Sequence, residues 1–472
     1  MLAVAVLAAV AIAVALVSGG DDAPKLGPLS LKPGATDPFG FSPSRENEFA
    51  ARATAGFSHV VYAKSPGGAA ATARRTARWR PLVERTAGRH HLDPDLLEAL
   101  VFLESAGRPD VIAGRDIRGA AGLTQILAET GRSLLGMRID VARSRRLTRQ
   151  IARAKRRGQA RRARRLSARR ARIDERFDPA KALEATGRYL DKARERFGRD
   201  DLSFVSYHMG IGNLGNVIAA YGDSEPKDLS YTRLYFDSAP DDHSRAYALL
   251  SRLGDDSSTY WWRLSASREV MRLYRRDLPE LGRLAALQTA KGSAEEVLHP
   301  ADSTRIFADP DQLQAAYAGG SIRPFPDDPA RLGLRRDPRM GQLASKLGRK
   351  ASLYRGLRPE AYALAAYLAG KVRDLAGTRA PLTVTSTVRD RKYQELLLRS
   401  NIEATPAYSL HTTGFAFDVL RSYRSRAQAL AFQFVLDRLQ ALNLIAWVRE
   451  PEAIHITASS EGRRLESLLR PD

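Results

Sequence analysis

The 472-residue chain reads as an α+β multidomain protein, with a mainly α-helical N-terminal domain and a C-terminal domain of mixed helix and strand. Three observations predict this. The length exceeds what one hydrophobic core normally supports, so two or three domains are expected. Helical periodicity dominates from about residue 78 to 290, and a mixed helix and strand pattern begins near 350. Between them Pro324, Pro326, Pro329 and Pro338 punctuate a stretch rich in Asp and Gly, which reads as a connector over 291–349.

Residues Met1 to Val17 are all apolar and end at Ser18-Gly19-Gly20-Asp21-Asp22. A spanning helix needs about 20 residues, and the run lacks the basic start of an ordinary signal peptide. Export to the cell envelope is expected, with 1–18 either a cleaved signal or an anchor. The chain has no cysteine, which excludes disulfides, thiolate metal sites and a lipoprotein anchor. Its net charge of +22 implies an anionic partner or surface. Residues 19–77, rich in Gly, Pro, Ala and Ser, read as a tether with at most short local structure.

In the 78–290 domain, Asp93-Pro94 predicts a capped helix start and Gly107 a stop. Leu97, Leu100, Val101 and Glu104 share one face, whereas Asp95 and Glu98 fall largely on another. Glu104 is therefore an acid on the side expected to be buried. Desolvation would hold its proton near neutral pH and suit it to general acid work. The alternative is a glutamate at the rim of the stripe, reaching to water.

Glu104-Ser105, then Gly119-Ala120-Ala121-Gly122-Leu123-Thr124-Gln125, then Ser206-Tyr207-His208-Met209-Gly210 resemble the lytic transglycosylases of the goose-lysozyme superfamily. The resemblance implies a lysozyme-like fold over roughly 78–275 and a single catalytic carboxylate. Glu104 would protonate the glycosidic oxygen and then act as base while the sugar's own C6 hydroxyl closes onto C1, leaving a 1,6-anhydro-muramyl end. Ser105, Gln125, Tyr207, His208 and Gly210 are the implied substrate-binding positions. His208 stands where the family has an asparagine, and Thr124 and Ala128 also depart from its pattern.

Inside this domain lies a block, 143–172, with 14 Arg, one Lys and no acid. Its composition favours helix, and Gly158 marks a turn between two helices. With arginines on all sides and no wide apolar stripe, it is expected to project into solvent. Anionic wall polymers and a membrane surface are both open as its partner, and a solvated helical insert without a partner is the alternative. The lack of a nucleic-acid fold motif argues against a nucleic-acid role.

In the 350–472 domain, Pro359 to Leu375 reads as a helix, Leu382 to Thr387 as a strand, Ala427 to Leu442 as a helix, and Leu444 to Val448 and Ile454 to Thr457 as strands. His411, Asp418 and His455 would leave one position open on a tetrahedral zinc ion, the catalytic arrangement. Ser409-Leu410-His411-Thr412-Thr413-Gly414-Phe415-Ala416-Phe417-Asp418 and Glu452-Ala453-Ile454-His455 resemble the zinc D,D-carboxypeptidases and D-Ala-D-Ala dipeptidases. The resemblance implies Zn2+ held by His411, Asp418 and His455, Glu452 as general base, Arg389 polarising the scissile carbonyl, and Ser409 touching the substrate. Glu450 is a second candidate base, and Ile456 departs from the family's usual aromatic. The two resemblances converge on peptidoglycan as the partner and on a bifunctional wall hydrolase. A wall-binding scaffold with one or both sites inactive is the alternative.

Overall fold

The computed structural model describes residues 29–31, 37–222, 225–254, 256–326, 329–399 and 408–471. The apolar run Met1 to Val17 lies outside them. The architecture is α+β, 63% helix and 8% strand, in two compact units. Among the described residues, no helix is long and apolar enough to cross a membrane.

The helical unit comprises Phe39–Pro300 and Leu430–Val448. At its centre is α1 (Pro94–Ser105). The Asp93 side chain caps it by accepting from the Asp95 amide at 2.7 Å, satisfying one of the free donors of the first turn. Ala106 in the left-handed region and Gly107 close it. A Cβ on Gly107 would sit 2.6 Å from the Thr76 nitrogen, so the stop also serves a close approach. Leu97, Leu100 and Val101 are fully buried, each stabilising by about 1.5–3 kcal/mol. Glu98, on a different face from Glu104, is also fully buried; Arg80 (3.1 Å) and Arg275 pair with it.

Further along lie α2 (Val141–Arg156) and α3 (Ala160–Ile173), folded back on each other across Gly158 at φ 67. Then come α4 (Asp200–Met209) and α5 (Tyr260–Arg276). Phe102 of α1 and Val270, Met271 and Leu273 of α5 share a core with Val61, Tyr62, Ala69 and Ala73. Those last four belong to the stretch read from sequence as a tether. Helices Glu46–Gly56, Ser58–Ala63 and Ala69–Ala77 occupy it instead.

The second unit comprises Ala301–Ala429 and Arg449–Asp472 with the described residues before Phe39. Four strands of its sheet run in the order β1 (Leu334–Arg336), β2 (Leu382–Ser386), β3 (Ala416–Leu420), β4 (Ala453–Ala458). The first pair is parallel and the next two are antiparallel. The helix α6 (Pro359–Ala376) is buried along most of its length, as its run of alanines and leucines allows. The segment read as a connector contributes β1 and a core cluster in which Phe307, Leu313, Tyr317 and Ile322 pack with Tyr354, Val388 and Tyr393.

Candidate functional site

The helical unit presents Glu104 at the end of α1, half-buried, on a cleft of about 240 Å3. Val60, Val61 and Phe102 give this cleft an apolar wall, and Lys64, Arg108 and Arg263 give it positive charge. Glu104 is the only carboxylate among its described lining residues. Burial pushes the Glu104 carboxyl up to about 7; the Tyr260 hydroxyl and the Arg263 charge oppose that shift and only partly cancel it. Tyr260 donates to Glu104 Oε1 at 2.8 Å. Its own ring lies under the imidazole of His208, with centroids 5.0 Å apart. Arg263 is tied to Asp256 at 2.7 Å, while its buried Nε finds no hydrogen-bond partner.

Of the other sequence-predicted positions, Ser105 also lines the cleft, whereas Gln125, Tyr207, His208 and Gly210 are not among its described lining residues. Ser105 is buried and donates to the Val101 carbonyl at 3.2 Å, so its hydroxyl serves the helix. Gln125, at φ 53, spends its amide on the Gly122 (2.8 Å) and Val111 (3.3 Å) carbonyls and thereby shapes the loop. Tyr207 donates to the Thr124 carbonyl at 2.7 Å, which ties α4 to that loop. Gly210, at φ 89, ends α4. His208 is exposed and meets Ser257 Oγ at 2.9 Å.

Sequence reasoning missed what holds the loop. Arg176 is fully buried, paired with buried Asp174 at 2.8 Å, and donates to the carbonyls of Gly119 (2.8 Å), Ile117 (2.8 Å) and Ile126 (3.3 Å). Gly122, at φ 85, lies so close that a Cβ would stand 1.8 Å from the Arg176 carbonyl oxygen. The available signal was Asp174-Glu175-Arg176, the first acids after the arginine block.

The second site is assembled by the sheet. Asp418 on β3 lies directly opposite His455 on β4 and Ser386 on β2. His411 comes from a tight helical turn, Leu410–Thr413, closed by Gly414 at φ 81. A Cβ on Gly414 would approach Ile322 Cδ1 to 2.7 Å, which accounts for glycine there. His411 Nε2 and His455 Nδ1 stand 3.2 and 2.9 Å from Asp418 Oδ1. One ligand atom from each residue lies within 4.8 Å of the others, so the group could hold a metal ion.

The donor chemistry of these residues fits a cation. His411 Nδ1 lies 2.8 Å from the Thr387 carbonyl, which can only accept, so Nδ1 carries the proton. Burial, with help from the Arg389 charge, pulls the imidazole down to about 4, so the ring is neutral at neutral pH. Its Nε2 lone pair then faces a carboxylate oxygen, and two acceptors in that position call for a cation between them. Asp418 itself is held well below the usual carboxylate range: burial alone would raise it, but the two imidazoles outweigh that cost.

Arg389 is fixed beside this group by Ser386 Oγ (2.6 Å) and Gln394 Oε1 (3.0 Å), and its guanidinium stands 3.5 Å from Asp418 Oδ2. Arg389, Asp418, Glu450 and Glu452 all line one cleft of about 220 Å3. Asp337, Arg339 and Gln342, from the stretch read as a connector, line it too and were not singled out from sequence. Ser409 is buried and is not among the lining residues; its carbonyl accepts from the Thr412 amide at 2.9 Å. No family model matches the chain, and no curated protein matches it.

Proposed function

We propose that the protein is a bifunctional, exported peptidoglycan hydrolase whose helical unit cleaves the glycan strand and whose sheet-bearing unit cleaves D-amino-acid-containing stem peptides. The observation that carries this reading is Glu104: the one carboxyl among the described lining residues of its cleft, with its proton held to about pH 7 by burial. Glycosidases that use water as nucleophile employ two carboxyl groups. A lone acid suits a reaction in which the substrate supplies the nucleophile. Because Tyr260 occupies Oε1, Oε2 is the oxygen left to give a proton to the leaving glycosidic oxygen. The same oxygen then takes the proton of the sugar's C6 hydroxyl as it closes onto C1. The sequence motifs around Glu104, Gly119 to Gln125 and Tyr207 support the same lytic transglycosylase chemistry.

For the second unit, two imidazoles and one carboxylate with a free coordination position favour zinc. Zinc bound there would polarise a carbonyl and lower the pKa of its water to about 7. The chain's own part is to orient and to move protons. Thr387 fixes the His411 tautomer, Arg389 offers a partly buried cation to a carbonyl or carboxylate oxygen, and Glu452, exposed at the cleft, accepts a proton.

Purified protein incubated with purified peptidoglycan tests both halves. Mass spectrometry should find 1,6-anhydro-muramyl ends and released D-amino acids, and chelator should suppress only the second. Reducing ends formed by water, or no products at all, would overturn the reading.

A further inference from the structure

The arginine-rich hairpin of α2 and α3 takes no part in either reaction, yet it is built as a rigid element. The helices are about 24 and 21 Å long at 1.5 Å per residue. Leu147, Ile151, Ala154 and Ala163 are buried within it. Its root is locked: Ser144 donates to Asp174 at 2.7 Å, and the Arg170 guanidinium lies 3.6 Å from the Phe177 ring centroid. Two further ion pairs, Lys155 to Asp110 (2.8 Å) and Arg145 to Asp116 (3.1 Å), brace it against the loop that leads from α1 into Gly119. Every other arginine of 143–172 except Arg170 is exposed. Arg149, Arg153, Arg156, Arg161, Arg165 and Arg169 have no ion pair among the described residues.

The chemistry of this surface selects its partner. Guanidinium groups grip phosphate through a planar fork, and the hairpin uses arginine almost to the exclusion of lysine. A membrane-surface helix needs an apolar face to insert, and here the apolar stripe is consumed between the two helices. Residues 141–173 contain no aromatic side chain on which a nucleic-acid base could stack. Charges distributed around a rod suit a flexible chain better than a plane. We infer that the hairpin is a docking spur for a linear phosphodiester polymer of the cell wall, held beside the glycan that Glu104 cleaves. The choice of a wall polymer rests on the function proposed above; the phosphodiester chemistry rests on the hairpin alone.

The test measures binding of the full chain to fluorescent poly(glycerol phosphate) of defined length between about 50 and 200 mM salt. Phosphate-matched single-stranded nucleic acid and phosphatidylglycerol vesicles serve as the other arms. The polymer should bind most tightly and with a steep salt dependence. Changing these six named arginines to Gln, a good helix former, should weaken binding by about tenfold or more and flatten the log–log salt slope by about 4, at about 0.7 per lost phosphate contact. The same six changed to Lys should keep the slope and lose tightness, because the charge remains and the fork does not. Glutamine variants that bind like the wild type would overturn the inference. So would tighter binding of vesicles or nucleic acid at equal phosphate. Binding is read without turnover, so polymer binding by a protein that cuts no glycan would sink the enzyme reading and leave the spur standing.

Discussion

Glu104 and Asp418 are both carboxylates withdrawn from water, and they end in opposite protonation states. At Glu104 one phenol hydroxyl and one arginine fail to offset desolvation, so the proton stays to about pH 7. At Asp418 two imidazoles reach the same carboxylate, and the charged form prevails far below neutrality. Burial sets the cost of charge in both places; the number and nature of the groups facing the carboxylate decide the outcome. The first arrangement stores a proton for donation, and the second holds a charge ready for a cation.

The largest effect should come from breaking the two sites separately. Glu104→Gln removes the transferable proton and should lower glycan cleavage by about 10²- to 10⁴-fold while D-amino acid release continues. Asp418→Asn should leave glycan cleavage intact and abolish stoichiometric metal, measured by elemental analysis, together with peptide release. Loss of both activities in either variant would mean that the sites are not independent.

Gly122→Ala should come next. It places a side chain at φ 85, with its Cβ 1.8 Å from the Arg176 carbonyl oxygen. Urea unfolding should reveal a loss of about 2–3 kcal/mol in the helical unit, with metal content unchanged. An unaltered transition would show that the Arg176 clamp does not hold the loop.

Stability against pH sharpens the contrast. The Glu104 carboxyl is pushed up to about 7 in the fold, above the ordinary glutamate value of 4.5. Between those values the unfolded chain releases a proton that the folded chain keeps, so stability falls as pH rises through that window. Glu104→Gln abolishes the dependence and should stabilise the protein at pH 7 by on the order of 1–3 kcal/mol, with little change at pH 4. Equal stabilities at both pH values would contradict a raised pKa.

The smallest effect concerns Tyr260→Phe. The hydroxyl bond favours the ionised carboxylate, so its loss should move the alkaline limb of glycan cleavage upward by about one unit, the equivalent of a hydrogen bond to a charged group. A downward shift would reverse the assigned role of Tyr260.

Local patterns made much of this legible. The spacing of Leu97, Leu100, Val101 and Glu104 placed the acid on the inward face of α1, and the Gly158 turn between two basic helices is present. The motif residues His411, Asp418 and His455 do converge. What escaped depends on partners distant in sequence. Glu98 falls off the Glu104 face, and nothing local announces that Arg80 and Arg275 meet it and let it be buried. The helices before residue 78 were missed because Ala69 and Ala73, small residues without a wide apolar stripe, become core only against α5. The three residues of β1 are too short to show a period and are defined by pairing with β2. Ser105 and Gln125 carry the expected letters, yet their polar atoms serve the backbone, a distinction that no motif encodes.

The central claim is that burial makes Glu104 an acid, with no second carboxylate among the described lining residues of its cleft. The most direct measurement is a carboxyl-carbon NMR titration of the full chain labelled at glutamate, with the resonance assigned by its absence in Glu104→Gln. A midpoint near 7 is the predicted result. A midpoint near the ordinary glutamate value of about 4.3 would contradict it and remove the basis for proton donation at neutral pH.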